Sequence, residues 1–383
     1  MKFTILTKTF QEMMNKVNKG AGNNKLLPLT SMLHINLNDK ILSLTATDMN
    51  NFVTIKETGI NGDNMDVVMP LDTISKIVAK TTTDTITIEY NDGFVKFVGN
   101  GTYSLPISVD EEGNNVVFPE YNFPEVYDEE TINYADVRSV IDNNSACLST
   151  DLSTPCLTGF YFGDNVITTD SVAICINKTK MFKNPVLLSP AVVNLLGLFT
   201  AEKITTRRSG DKIEFISPNV IVCGSVMNEL EDYPATAIES YLDAKFINSC
   251  KLNKSSLLGI LDRILIFVDE VYDNFIANIT FSDKGMLIQN KNNTANEIVN
   301  YASVSEPIKE SYNCSINLVI LRNMINACKN DNITVYFGHE ENVCVKLEDN
   351  DIVKIIALES EEADEVNDVE TDVETVELEE VDE

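Results

Sequence analysis

The chain has 383 residues, 44% of them hydrophobic, and a formal charge of −30. That length suits two or three domains with packed cores, and that charge excludes a surface that is basic all round and binds nucleic acid by its field alone. No apolar run nears the length of a membrane span, Met1-Lys2 leads only into the short run Phe3–Leu6, and the eight cysteines show neither Cys-x-x-Cys nor zinc spacing with histidine, so reduced thiols in the cytoplasm are expected, with no membrane and no metal.

Thr9 and Glu12 stand at capping-box spacing. Phe10, Met13, Met14 and Val17 follow at i, i+3, i+4 and i+7, which predicts a helix with one apolar face, stopped near Gly20. Lys16 and Lys19 fall on its other face. Strands are predicted over Met32–Leu37, Ile41–Thr45 and Phe52–Lys56. The second alternates apolar and polar from Leu42 to Ala46 and runs out in Thr47-Asp48, two residues that favour turns. Pro70 opens a short helix with Ile74, Ile77 and Val78 inward and Lys76 and Lys80 outward. A hairpin follows, Thr85–Tyr90 and Phe94–Val98 about Asn91-Asp92-Gly93, and Gly99–Ile107 continues the sheet.

The same order restarts. A helix is expected over Tyr134–Ser149, and Val166-Ile167-Thr168-Thr169-Asp170 repeats the earlier strand and its Thr-Asp end, Thr169 lying 122 residues after Thr47. Ser189-Pro190 is a cap with proline at the first helical position, opening Ala191–Phe199. A hairpin, Lys203–Thr206 with Lys212–Ile216, closes this round. The third round has helices at Lys254–Val268 and Leu318–Lys329, a degenerate Met286–Asn290 copy of the strand, and a hairpin of Ile333–Phe337 with Val343–Leu347. A period of this size means stacked copies of one unit. Three copies are expected, at 1–124, 125–243 and 244–358, each with two helices on one face of an antiparallel sheet, an α+β layer. Residues 359–383 hold fourteen Asp or Glu and no Lys or Arg; taking those charges away leaves −16 for the rest. Such a segment cannot bury enough apolar surface to offset its ordering entropy, and it reads as a disordered acidic tail.

The chain resembles the bacterial DNA polymerase III β subunit, the sliding clamp. The likeness is carried by the opening Met-Lys-Phe-Thr, by Leu27-Pro28-Leu29, by Leu42–Asp48, by Leu157-x-Gly159, by Thr168-Thr169-Asp170, by Tyr233-Pro234 and by Ile355–Leu358, in that order and with a threefold repeat. The resemblance implies a clamp fold of three similar domains, a head-to-tail homodimeric ring with helices lining the hole, and the work of tethering the replicative polymerase to duplex DNA after a clamp loader has placed the ring. No cofactor is implied.

Site residues follow from the same resemblance. The outward basic residues Lys16, Lys19, Lys76, Lys80, Arg138, Lys254, Arg263, Arg322 and Lys329, ordinary solvated positions in any other protein, would line the hole and meet phosphates, which position without reading sequence. Lys25 matches a basic loop position that touches DNA. Pro155 and Cys156 replace the family's usual contacts in the middle domain. The partner-peptide cleft would comprise Leu157, Thr169, Ser171, Val172, Ile174, Ile238 and Ile356, residues that otherwise read as core, with Val172-Ala173 in place of a His-Arg pair. The subunit seam would set Tyr103 and Leu105 against Ile266 and Phe267. Catalytic signatures are missing: two histidines, no phosphate-binding loop, no nucleophile elbow and no zinc-protease motif. The competing readings are a clamp-derived scaffold that does not load on DNA and an unrecognised hydrolase.

Overall fold

The computed structural model describes residues 1–24, 26–109 and 112–359, with backbone alone for 272–273. Lys25 and residues 360–383, which hold thirteen of the fourteen tail acids, lie outside the described residues. The described residues form two compact units, one of 1–244 with 327–329 and 348–355, the other of 245–326 with 330–347 and 356–359.

In the first unit β1 (Lys2–Leu6) runs directly into α1 (Thr7–Val17). Then come β2 (Met32–Asn38), β3 (Ile41–Thr47), β4 (Phe52–Thr58), β5 (Met65–Pro70), α2 (Leu71–Lys80), β6 (Thr85–Asn91), β7 (Phe94–Val98) and β8 (Thr102–Pro106). The order restarts with β9 (Asp128–Asn133), α3 (Tyr134–Asn144), β10 (Phe160–Phe162), β11 (Val166–Thr169), β12 (Ala173–Asn177), β13 (Val186–Leu188), α4 (Pro190–Leu196), β14 (Lys203–Ser209), β15 (Lys212–Ile216) and β16 (Val220–Ser225), followed by α5 (Ala235–Glu239). One sheet has the order β1-β6-β7-β8, and another β5-β2-β3-β4-β16-β15-β14-β9. The second joins the two rounds through β4 and β16, Val53 standing opposite Val222. Phe10, Met13, Met14 and Val17 of α1 and Ile74 and Val78 of α2 are buried in the core, as their spacing requires. The Asp92-Gly93 turn has positive φ at both residues, the twist that matches a two-residue hairpin.

The second unit has β17 (Phe246–Asn253), α6 (Lys254–Ile264), α7 (Glu270–Asp273), β18 (Ile276–Ser282), β19 (Gly285–Asn290), β20 (Asn296–Val299), β21 (Tyr301–Val304), β22 (Tyr312–Asn317), α8 (Leu318–Asn326) and β23 (Asn332–His339). Its sheet β20-β19-β18-β22 repeats the order β4-β3-β2-β5 of the first round. The last strands are β24 (Cys344–Asp349) and β25 (Ile352–Ala357).

Several local expectations shift. The Thr9/Glu12 capping box does not form: α1 starts at Thr7, has Leu6 at its N-cap and makes no side-chain cap bond. Its first N–H is satisfied instead by Asp84 O at 2.9 Å, because the strand before it leaves no loop to hold a capping side chain. The helices expected to run to 149, 268 and 329 stop at Asn144, Ile264 and Asn326. The first two tighten into 3₁₀ turns that carry the apolar spacing onward. Ser189 does cap α4, accepting from Val192 N at 3.4 Å.

Candidate functional site

Of the basic residues expected on helices, Lys16, Lys76, Lys80, Arg138, Lys254, Arg263 and Arg322 lie on α1, α2, α3, α6 and α8, whereas Lys19 sits in the 3₁₀ turn after α1 and Lys329 beyond the end of α8. α1 packs with α2, α3 with α4, and α6 with α8. Carboxylates accompany most of these cations. Lys76 pairs with Asp72, and Arg138 with Asp142 at 3.1 Å, each one helical turn apart. Lys329 Nζ reaches the same Asp142 at 3.9 Å. Arg322 binds Asp262, and Lys254 Nζ donates to Asn326 O at 3.0 Å. Arg263 grips Glu297 with two bonds of 2.8 and 2.7 Å, and its guanidinium holds that carboxyl below the usual glutamate range. Among the described residues, Lys16, Lys19 and Lys80 enter no ion pair. These positions therefore present alternating charge rather than a basic field.

Of the residues assigned to the peptide cleft, Thr169, Ser171, Val172 and Ile174 lie on or beside the Thr-Asp turn of the second round. Thr169, 3% exposed at the end of β11, accepts from Ser171 N at 3.0 Å, and Asp170 Oδ1 accepts from Val172 N and Ala173 N at 3.0 and 2.6 Å. These bonds hold Ser171 at φ 79°, a left-handed conformation that costs a residue with a Cβ. The first round builds the same turn: Met49 N donates to Thr47, Asn50 N and Asn51 N donate to Asp48, and Met49 has φ 79°. Val172 is 38% exposed, Ser171 is exposed and Ile174 is half-buried, while Leu157 and Ile238 are buried. Ile356, fully buried, belongs to the other compact unit.

Tyr233 is a residue the site assignment passed over. Its ring stacks on Tyr161 at 4.9 Å, its hydroxyl donates to Ile167 O at 3.2 Å, and burial pushes its pKa up. It fixes the chain just before α5, which carries Ile238. Tyr233-Pro234 was visible in the sequence as part of the family likeness, yet nothing in its spacing marked it as a neighbour of β11.

The seam residues are exposed apolar side chains: Ile266 at 77%, Phe267 at 55% and Tyr103 at 43%, with Leu105 partly buried against the core. Tyr103 and Leu105 lie on β8, which among the described residues is an edge strand paired with β7 alone. β20 is likewise an edge, paired with β19. The repeat gives these edges a meaning. β8 is the first-round counterpart of β16, and β20 is the third-round counterpart of β4; β4 and β16 are the pair that joins the first two rounds. Among the described residues, one chain thus has one unfilled edge of each kind. Arg263 and Glu297 stand at this second edge.

Among the described residues no group of three or more His, Cys, Asp or Glu is placed to hold a metal ion, and no helix is long and apolar enough to cross a membrane.

Residues 1–116 match the family model described as DNA polymerase III beta subunit, N-terminal domain. Among solved structures, the DNA polymerase III beta chain of Streptococcus pneumoniae TIGR4 superposes with a TM-score of 0.82 at 15% identity, covering 94% of this chain and 99% of that one. The beta subunit of Streptococcus pyogenes gives 0.81 at 16%, with 94% and 100% covered. The DNA polymerase sliding clamp of Bacillus subtilis gives 0.79 at 17%, with 94% and 99% covered. A comparison with curated sequences finds no match. The fold of this chain is that of the sliding clamps.

Proposed function

We propose that the chain, folded as the β subunits of DNA polymerase III are, works as a DNA sliding clamp. Two copies close head to tail into a ring, β8 of each against β20 of the other, and the ring tethers the replicative polymerase to duplex DNA in the cytoplasm after a loader places it there. The observation that carries this reading is the pair of complementary unfilled edges, with Tyr103, Leu105, Ile266 and Phe267 nearby. Exposed strand edges invite pairing with another chain, and a head-to-tail contact that closes gives a ring. The three repeats, 1–124, 125–243 and 244–358, then become three domains per copy. We assign Leu157, Thr169, Ser171, Val172, Ile174 and Ile238 of the first unit to a cleft for short partner peptides. No catalysis is assigned to the chain.

Lys16, Lys19, Lys25 and Lys80 are the cations we assign to phosphate contact first. Lys76, Arg138, Lys254, Arg263, Arg322 and Lys329 contribute only by exchanging a protein partner for a phosphate. That exchange favours a second reading, a clamp-derived scaffold that assembles but does not load on DNA. Retention on nicked circular DNA that is lost on linearisation separates the two.

A further inference from the structure

One face of the eight-stranded sheet carries a cavity of about 630 Å³, bordered by the segment that follows β8. There Phe118, 7% exposed, packs with Phe52, Val68 and Cys223 and stacks on His34 at 5.3 Å. Tyr121 lies 5.4 Å from the Phe52 ring and donates its hydroxyl to Gly224 O at 2.7 Å. Phe52 is the first-round counterpart of Ile174, since each stands opposite the threonine of a Thr-Asp turn. The first round therefore places its own apolar pocket beside its own turn, and here the walls are aromatic.

The charge in this cavity is one-sided. Asp66, Glu120 and Glu214 line it, and no Lys or Arg does. Glu214 lies in one cross-strand row with Arg207, Cys223 and Phe52. Arg207 is engaged elsewhere, by Glu129 at 2.8 Å. Among the described residues Glu214 makes no ion pair, and its one hydrogen bond comes from the Cys223 thiol at 3.6 Å. Burial pushes its carboxyl up. A half-buried carboxylate with a single weak donor, facing open volume, calls for a cation. The adjoining segment already uses that chemistry: Lys212 Nζ lies 5.4 Å from the Tyr121 ring centroid and the Arg207 guanidinium 4.8 Å from that of Tyr127.

We propose that this cavity binds one cationic side chain, an arginine or lysine of a partner peptide, with Glu214 as its counter-charge and Phe52, Phe118 and Tyr121 as its walls. Aromatic faces attract a cation through the ring quadrupole, and the attraction rises when the site is desolvated. A carboxylate already partly out of water gains more from that cation than a surface carboxylate does.

The test uses the full chain at about 0.15 M salt, where distant surface charges are screened. Two probes of one shape, 4-fluorobenzylguanidinium and the neutral 4-fluorobenzylurea, are titrated and followed by fluorine NMR. The guanidinium should bind saturably and about tenfold more tightly than the urea, the size expected for a desolvated cation–carboxylate and ring contact. Glu214→Gln should remove that tenfold preference and leave urea binding unchanged, whereas Asp72→Asn, at a distant exposed carboxylate, should change neither. Acidification should release the guanidinium as Glu214 gains its proton, above the pH at which an ordinary glutamate would. Equal binding of the two probes, absence of saturable binding, or an undiminished preference in a folded Glu214→Gln protein would overturn the proposal.

Discussion

Asp170 shows how much one residue can fix. A single carboxylate oxygen accepts two consecutive N–H groups and, with Thr169, holds Ser171 at positive φ. Asp170→Ala should cost about 1–3 kcal/mol, the penalty for leaving such donors unsatisfied, read as a lowered urea midpoint with an unchanged slope. Ser171→Gly should be tolerated, because glycine adopts that conformation freely. Glu214 acts with the opposite sign. Its folded pKa is raised by burial, so the folded state takes up a proton more readily than the unfolded one, and stability falls as pH rises through the folded value. Glu214→Gln should therefore leave the protein more resistant to urea at neutral pH than the parent, with the difference shrinking towards acid. The Thr-Asp turns were legible in the sequence because their chemistry is local. Tyr233, Phe118 and Glu214 were not, since each acquires its role from partners more than sixty residues away or across strands that spacing cannot pair.

At the scale of elements, apolar periodicity identified α1, α2, α6 and the hairpins, because each buries one stripe or one face. It missed β1, whose five residues alternate buried and exposed but run into a helix without a break. It missed β5, β9, β17 and β22 in the same way, as strands that run directly into helices. Helix ends were overestimated where 3₁₀ turns kept the apolar spacing alive. Gly99–Ile107 was legible as a strand, but residue spacing did not mark β8 or β20 as an edge, since an edge is defined by what fails to pair with it. Their proposed pairing predicts a defined outcome. Ile266→Ala with Phe267→Ala removes two side chains that are 77% and 55% exposed, so the fold should persist while association fails. Sedimentation should show the parent as a dimer at micromolar concentration and the double variant as a monomer with an unchanged circular dichroism melt. Truncating such anchors typically costs about 2 kcal/mol or more each, enough for a loss of affinity of a thousandfold together.

For the whole molecule, the governing fact is charge. The net value of −30 and the carboxylates beside Lys76, Arg138, Arg263, Arg322 and Lys329 leave little basic field for duplex DNA. Each phosphate contact contributes about 0.9 to the slope of log K against log salt, so few free cations mean a shallow slope and weak, sequence-blind contact. Lys16→Ala with Lys80→Ala should weaken open contact equally for all sequences and lower the slope by about two units at most. The fourteen acids of 359–383 should act through charge alone. A chain ending at Leu358 should bind DNA more tightly at low salt and indistinguishably at high salt, where the field is screened.

If the hold on DNA is topological, affinity is the wrong quantity to measure, and the direct test is retention. With a clamp loader supplied, the protein is placed on nicked circular DNA and the complex is passed through a sizing column at a salt concentration that abolishes simple binding. The clamp reading predicts that the protein travels with the circle and falls off when a single cut linearises it. A protein that never stays on the circle, or that stays equally well after the cut, contradicts that reading.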